Sequence, residues 1–459
     1  MALGKFLWLS GRFARDRGGN FIVMAGVVLA VLAMAVGFAV DIGQMMNARS
    51  ALSNAIDAAV TSTARDLTSG TATEEEAAKA IKAYLSANST GGILSYDKIV
   101  LSKVTLDRTS HTLEVSAYVD VPLFFPLFSS EKTRRVSQTG AAVYSFRQIE
   151  VAMMLDLTGS MNEGNKIGSL QTAATNAITT IFRNQDPSRP RVRVALVPYA
   201  NSVKVGSSLA TNSVYVETSV AERSKPAPSN TTQRPPSSSI NPGSCATERK
   251  GDYQYSDVGP DVAMVKRDYL LSQFIKKGNR GEGTLACPDA ELMPLTSDAA
   301  ALKARIGSFV ASGGTAGHIG VQWTWYILSP SWAGVLGESQ RPMAFDPAKV
   351  AKYAILMTDG EFNLSYFDAS DVSQVYNDRG KVATRDSAKR LCLEMRKQGI
   401  EIFTIGFDLD EDNARETLQN CASPDAGGIK HFYDVATGTE LDKAFQAIAN
   451  NLQKLALTK

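Results

Sequence analysis

Residues 151–161 read Val-Ala-Met-Met-Leu-Asp-Leu-Thr-Gly-Ser-Met. The first five are apolar without interruption, the pattern of a strand buried on both faces. Asp156 ends the run, and Thr158 and Ser160 follow at steps of two. A short loop at the end of a buried strand can point one carboxylate and two hydroxyls at the same spot. Those are hard oxygen donors, suited to Mg²⁺ (or Mn²⁺ or Ca²⁺) rather than zinc. On its own the triplet fits a helix N-cap equally well, so its reading depends on the rest of the chain.

From Gln148 onward strand-like and helix-like segments alternate. The strand candidates are 149–155, 192–197, 353–357, 400–405 and 429–433. The helix candidates are 166–182, 299–309, 317–328, 385–397 and 439–455. This alternation predicts an α/β fold with a doubly wound, mostly parallel sheet flanked by helices. In such sheets ligands bind beyond the carboxyl ends of the strands. Two further segments belong at such ends. Ala354-Ile355-Leu356-Met357-Thr358-Asp359-Gly360 is an apolar strand closing on a carboxylate, and Gly313-Gly314-Thr315 presents a hydroxyl just before a helix. Asp156, Thr158, Ser160, Thr315 and Asp359 together supply two carboxylates and three hydroxyls. An octahedral cation held by them, directly or through water, keeps a position open for a partner's carboxylate. Two aspartates only neutralise a divalent ion, so tight binding of a further anion relies on dry surroundings.

The series D-x-T-G-S-M, G-G-T and L-M-T-D-G, in this order on an α/β pattern, resembles a von Willebrand factor A domain with a metal-ion-dependent adhesion site. The likeness covers about residues 148–457. Thr158 stands where that family usually has a serine, and its hydroxyl can still ligate. The resemblance implies a binding role rather than catalysis.

The amino-terminal part is of another kind. Residues Phe21 to Val40 carry no charge and no proline. Twenty residues of helix span roughly 30 Å, the hydrocarbon thickness of a bilayer. Lys5, Arg12, Arg15 and Arg17 precede the segment and Asp41 follows it. The positive-inside rule then places the amino terminus in the cytoplasm and the bulk of the chain across the membrane. The run is long for a signal peptide, and no good small-residue cleavage site follows, so a retained single-pass anchor is expected. Ile42, Met45, Met46, Leu52, Ile56, Ala59, Val60 and Leu67 continue at steps of three and four. The helix is therefore expected to run on to about Asp66, near 45 residues or roughly 70 Å. Residues 1–67 form this tip, span and stalk. The stalk either packs on its own domain or binds a partner.

Residues 68–147 read as a small α+β module, with a helix over Thr71–Ala87 and strands over Lys98–Leu106, Thr112–Val121 and Arg134–Phe146. Phe124, Phe125, Leu127 and Phe128 beside Pro122 and Pro126 are expected in a core or an interface. The Arg-rich start, Gly18-Gly19-Asn20, Asp41-Ile42-Gly43 and Ala55-Ile56-Asp57-Ala58-Ala59 resemble the amino-terminal segment of TadG-like and TadE-like proteins of tight-adherence, Flp-type pilus systems. The stretches 313–320, 421–423 and 444–449 are also similar to TadG-type proteins. A processed prepilin carries glutamate five residues after the cleavage glycine. Met24 holds that place after Gly19, which favours a retained anchor. The resemblance implies an inner-membrane protein of the bacterial envelope, with its bulk in the periplasm and pilus or envelope proteins as partners.

Between about 200 and 298 the alternation is lost, and the VWA-like region carries a large insertion. Its Pro- and Ser-rich stretch from Lys225 to Gly243 reads as an exposed loop that either overhangs the site or merely decorates the domain. An oxidising compartment allows disulfides, and Cys245–Cys287 and Cys392–Cys421 are the favoured pairs. No C-x-x-C occurs, which argues against a zinc ribbon. The three histidines, His111, His318 and His431, are too scattered for a histidine-rich centre, and His318 is expected in a packing or capping role. A net charge of +2, with no basic stripe interleaved with aromatics, argues against nucleic acid.

The leading expectation is a membrane-anchored, extracytoplasmic binding protein that grips a partner carboxylate through a divalent cation. A metal-dependent hydrolase is the alternative, disfavoured because no G-x-S-x-G, H-E-x-x-H or nucleophile–histidine pair is present. A scaffold whose cation only stabilises the fold is the third reading.

Overall fold

The computed structural model describes residues 20–69, 72–88, 98–107, 110–125, 131–144, 147–183, 185, 190–223, 225–229, 245–271, 287–367 and 369–458. The chain divides into two compact units, one of residues 1–67 with 72–144 and one of 68–71 with 145–459.

The first unit begins with α1 (Asn20–Ser69), a single helix of 50 residues. It is the one helix among the described residues long and apolar enough to cross a membrane. Its two halves differ. Ile22, Val28, Val36 and Phe38 are exposed, whereas Leu52, Ile56, Ala59, Val60, Ala64 and Leu67 are buried. The buried set recurs at helical spacing and makes one face. It packs within its own unit, which holds α2 (Ala77–Asn88) and the antiparallel strands β1 (Val100–Asp107), β2 (Thr112–Pro122) and β3 (Thr133–Val143) in the order β1-β2-β3. Leu113, Val115, Ala117, Val119 and Val121 alternate along β2 as its buried face. Gly140 of β3 lies so close to the helix that a Cβ there would stand 2.7 Å from the Ile56 side chain.

The glutamate-rich segment before α2 is not the helix's first turn. Thr73 Oγ1 accepts from the Glu76 N–H at 3.3 Å while Glu76 Oε2 accepts from the Thr73 N–H at 2.9 Å. This reciprocal cap opens a turn over Glu74–Glu76, which leads into the regular helix at Ala77. Phe124 and Phe125 are exposed rather than core, and Leu127 and Phe128 lie outside the described residues.

The second unit is mixed α/β. Strands β4 (Gln148–Asp156), β5 (Val192–Tyr199), β11 (Val350–Thr358), β12 (Glu401–Phe407) and β13 (Phe432–Val435) pair in parallel in the order β13-β12-β11-β4-β5. Antiparallel strands extend the β5 side, so the complete sheet is mixed: β10 (Met293–Thr296) and β6 (Val203–Lys204) pair with β5, and β8 (Cys245–Ala246) pairs with β6.

Alternate residues of β4 enter two cores. Ala152 and Met154 meet α6 (Gly317–Leu328) and α7 (Asp378–Lys397) through Ile319, Val321, Leu391 and Met395. Val151, Met153 and Leu155 meet α3 (Lys166–Ile181), α5 (Ala299–Gly307) and α9 (Gly438–Thr458) through Leu170, Leu302 and Phe445. Each such fully buried side chain contributes about 1.5–3 kcal/mol. Helix α7 starts seven residues before the predicted Arg385, because Asn377 caps it by accepting from the Gly380 N–H at 2.8 Å. Strand β13 begins at Phe432, three residues later than the predicted Ile429.

The insertion supplies α4 (Ser207–Ser213) and the parallel pair β7 (Val214–Val216) and β9 (Val265–Arg267). Cys245 is bonded to Cys287, and Cys392 of α7 to Cys421 at the end of α8 (Asp412–Cys421). The second bridge closes a loop of 29 residues, which contributes about 3 kcal/mol by restricting the unfolded chain. Most of the Pro- and Ser-rich stretch, residues 230–243, lies outside the described residues.

A charged cluster occupies the amino-terminal end of the parallel block. Glu150 of β4 is fully buried. Arg193 of β5 and Lys352 of β11 both donate to it, as does the Met343 N–H at 2.9 Å. Lys352 also donates to the Leu328 carbonyl at 2.9 Å.

Candidate metal-binding site

The opposite end of the same strands carries the oxygen-rich cluster. Parallel register aligns Leu356 of β11 with Met154 of β4, so Thr358 comes level with Asp156. Asp156 is completely buried, and its hydrogen bonds fix both oxygens. Oδ1 accepts from the Thr158 N–H at 2.8 Å, and Oδ2 accepts from Thr358 Oγ1 at 2.7 Å and from the Tyr199 hydroxyl at 2.8 Å. Burial pushes the Asp156 carboxyl above its ordinary pKa, and the Thr158, Thr358 and Tyr199 bonds pull the other way. Burial likewise holds the Tyr199 phenol protonated.

Thr158 Oγ1 lies 3.1 Å from Ser160 Oγ, and Ser160 donates to Asp359 Oδ1 at 2.6 Å. Asp156, Thr158, Ser160 and Asp359 therefore form one hydrogen-bonded series across two strand ends. Asp359 is 4% exposed, and its Oδ2 has no hydrogen-bond partner. Burial first, and then the charge of Asp156, lift the Asp359 carboxyl to about 7. The nearest cation is Lys166 at the start of α3, whose Nζ is 3.4 Å from Asp359 Oδ2 and 3.1 Å from Asp408 Oδ2. Burial acts to lower the Lys166 pKa, but Asp408 and Asp359 outweigh it and the ammonium is retained.

Thr315 reaches the same end through its loop. The Gly313 carbonyl accepts from the Gly159 N–H at 2.8 Å, and the Ser312 N–H donates to the Leu157 carbonyl at 2.7 Å. On the other side the Thr315 N–H donates to Asn363 Oδ1, and its carbonyl accepts from the Asn363 N–H, both at 3.0 Å. Thr315 is thus wedged, 4% exposed, between the loops that follow β4 and β11. Asn201 steadies that wedge, accepting from the Gly314 N–H at 2.6 Å and donating to the Tyr376 hydroxyl at 2.8 Å.

Several of these residues carry no signal in the sequence. Tyr199 lies past the predicted strand 192–197, Lys166 opens the predicted helix 166–182, and Asp408 falls outside every predicted element. Asp408 has a left-handed backbone, φ 53°, at the end of β12, the parallel neighbour of β11. The insertion adds contacts of its own. Arg223 and Lys250 both donate to the Tyr366 carbonyl in the loop after Asp359, at 3.1 and 3.0 Å. His318 is buried, its Nδ1 2.6 Å from Thr384 Oγ1, a packing position rather than part of the oxygen cluster.

The donor set fits a hard divalent cation. Two buried carboxylates stand at neighbouring strand ends, linked in series through Thr158 and Ser160, and Asp359 Oδ2 faces Lys166 at 3.4 Å. Among the described residues no group of three or more His, Cys, Asp or Glu is placed to hold a metal. The chemistry here is that of two carboxylates assisted by hydroxyls.

Residues 19–66 match the family described as putative Flp pilus-assembly TadE/G-like. The match lies almost wholly on α1, so it is the long apolar helix that is similar to this family. No curated protein matches the chain. Among solved structures, the pilus adhesin SpaC from Lactobacillus rhamnosus GG, in its open conformation, aligns at 12% identity and a TM-score of 0.37 over 78% of this chain and 34% of that one. The chain thus spans about a third of the length of SpaC. The vWF domain of the type V pili tip protein Mfa5 from Porphyromonas gingivalis aligns at 14% identity and a TM-score of 0.37, over 68% of this chain and 97% of that one. Proximal thread matrix protein 1 from the mussel byssus, solved with a zinc-occupied MIDAS motif, aligns at 14% identity and a TM-score of 0.30, over 68% of this chain and 46% of that one.

Proposed function

We propose that this chain is a membrane-anchored, extracytoplasmic binding protein of a Tad/Flp-type pilus assembly or adherence system. It holds a divalent cation, Mg²⁺ in the first instance, at Asp156, Thr158, Ser160, Thr315 and Asp359, and presents it to a carboxylate of a protein partner. The observation that carries the reading is the buried pair Asp156 and Asp359, linked through the hydroxyls of Thr158 and Ser160 and met by a single cation, Lys166, 3.4 Å from Asp359 Oδ2. Two buried carboxylates that share one lysine cost stability when both are ionised, and a further positive group offsets that cost. The TadE/G-like segment supports the pilus setting.

A bound divalent cation supplies a Lewis-acid contact for one carboxylate oxygen of the partner. The chain's own residues do the rest. Tyr199 and Thr358 hold Asp156 at one orientation, and Ser160 sets Asp359. Thr315 closes the side between the two loops, and Lys166 offsets part of the negative charge. The reading is one of binding rather than catalysis, since these groups orient and hold and none is placed as a nucleophile with a base. The topology is single-pass in the inner membrane, with the amino terminus cytoplasmic and both units in the periplasm.

The test is capture of envelope proteins by the full-length chain in detergent, with Mg²⁺ and with chelator. Partner capture should need Mg²⁺ and be lost in Asp156→Ala. If Asp156→Ala and chelation leave both capture and surface adherence unchanged, the proposal fails. A Thr315→Ala variant that loses melting temperature with Mg²⁺ but keeps its partner points instead to a cation with a purely structural role.

A further inference from the structure

The first unit ends its β2–β3 hairpin in a way that its own packing does not require. The chain leaves β2 into Leu123, Phe124 and Phe125. Phe124 is 63% exposed and Phe125 46%, although neither needs to be apolar for the sheet. Their backbone is pinned to the helix. The Phe124 and Phe125 N–H groups donate to the two oxygens of Asp41, at 2.8 and 3.1 Å. The Phe125 ring covers Gly37, one turn earlier, where a Cβ would stand 2.5 Å from its Cγ. Val36, Phe38 and Val40 around that glycine are exposed. The apolar surface of the helix thus continues sideways onto the two phenylalanines without a polar break.

The same hairpin end is basic. The Leu123 N–H donates to the Lys132 carbonyl at 2.9 Å, which sets Lys132 beside the aromatic pair. Lys132 and Arg134 are exposed, with Glu131 the one acidic neighbour on that stretch. Aromatic rings beside lysine and arginine at the end of an apolar span make up the side-chain belt of a membrane–water interface. Exposed cations there meet anionic headgroups.

We propose that the β2–β3 hairpin end is a lipid-contacting foot. Phe124 and Phe125 enter the headgroup–acyl boundary of the bilayer at the point where α1 leaves it, and Lys132 and Arg134 lie against phospholipid phosphates. The inference rests on the reading of residues 21–40 as a membrane span. Asp41 has its part in the arrangement: by accepting from two N–H groups, the charge that ends the span is satisfied without water. A bilayer is favoured over a protein occupant because the span keeps it beside the hairpin at all times, so contact costs no separate association.

The test is site-directed spin labelling of the full-length chain in vesicles of phosphatidylcholine and phosphatidylglycerol. All four natural cysteines are paired, so a thiol introduced by Phe124→Cys takes the label alone. Val28→Cys within the span and Lys103→Cys on β1 are the references. The collision ratio of oxygen to a water-soluble nickel chelate at position 124 should exceed that at Lys103→Cys several-fold and fall below that at Val28→Cys. Adding Lys132→Glu and Arg134→Glu should lower it in anionic vesicles. A label at 124 that collides with nickel as freely as the one at 103, while 28 reads as lipid, overturns the foot and leaves the span standing. A label at 124 shielded from both reagents means that protein covers the pair, and also overturns it. If 28 itself reads as aqueous, the span reading fails and the foot fails with it.

Discussion

Strand β4 carries a buried carboxylate at each end, and the two are treated differently. Glu150 is met by two cations, Arg193 and Lys352, and by the Met343 N–H. Asp156 is met only by neutral donors, and beside it stands a second carboxylate, Asp359, with a single lysine at its edge. Glu150 is therefore complete as folded. The Asp156–Asp359 end has two carboxylates for one lysine, which stands 3.4 Å from Asp359 Oδ2. One strand thus separates a carboxylate completed by two cations from a pair of carboxylates that shares one lysine.

The largest effect should come from breaking the completed end. Glu150→Ala strands two cations beside the core and should lower unfolding free energy by about 3–5 kcal/mol, by the same amount with Mg²⁺ or with chelator. Denaturant titration checks this, and a loss that depended on Mg²⁺ would blur the distinction between the two ends. Next in size is the response of the wild-type chain to metal. Mg²⁺ at a hundred times its dissociation constant should add about 2.7 kcal/mol, and Asp156→Ala should remove that gain. Thermal melts that are identical with Mg²⁺ and with chelator would leave the carboxylate pair without a cation.

Asp359→Asn sharpens the contrast further. With chelator at pH 8 it removes like-charge repulsion and a buried anion, so stability should stay level or rise by about 1 kcal/mol. The same variant should lose the Mg²⁺ response. A clear destabilisation in chelator would mean that Asp359 is already complete, as Glu150 is. The smallest effect belongs to Thr158→Ser, which keeps the hydroxyl. Its unfolding free energy should shift by no more than about 0.5 kcal/mol and its Mg²⁺ response should persist; loss of that response would assign the threonine methyl a role that the hydroxyl alone does not fill.

Much of the fold is legible in the sequence because buried parallel strands must be apolar throughout. The segments around 149–155, 353–357 and 400–405 carry that mark, and α1 carries the longer one of a span followed by helical spacing. Boundaries are less legible because they depend on single polar contacts, such as the Asn377 cap that starts α7 early or the Thr73–Glu76 cap that opens the turn before α2. The sheet's antiparallel extension is hidden for a related reason: β6, β8 and β10 are two to four residues long, too short for any periodicity.

At the candidate site, the spacing of Asp156, Thr158 and Ser160 is visible because three adjacent donors need no tertiary information. Asp359 joins them through parallel register, which follows once β4 and β11 are neighbours. The contributions of Tyr199, Lys166 and Asp408 are invisible in sequence. Each is a residue type common at strand ends, helix starts and turns, and only the folded chain brings them to these carboxylates. Phe124 and Phe125 are expected in a core or an interface, and sequence alone does not separate the two: both are partly exposed, and the Phe125 ring lies over Gly37 of the helix.

Helix α1 has a mechanical consequence. It runs 50 residues without proline, about 75 Å at helical rise. Its far half packs against β3 at Gly140, and Asp41 pins its middle to the hairpin. Tension applied to the first unit therefore passes along one unbroken rod and loads its backbone hydrogen bonds in series. Below the Asp41 brace no other described part of the chain shares that load, so the turns from Asn20 to Gly37 would be the first to stretch.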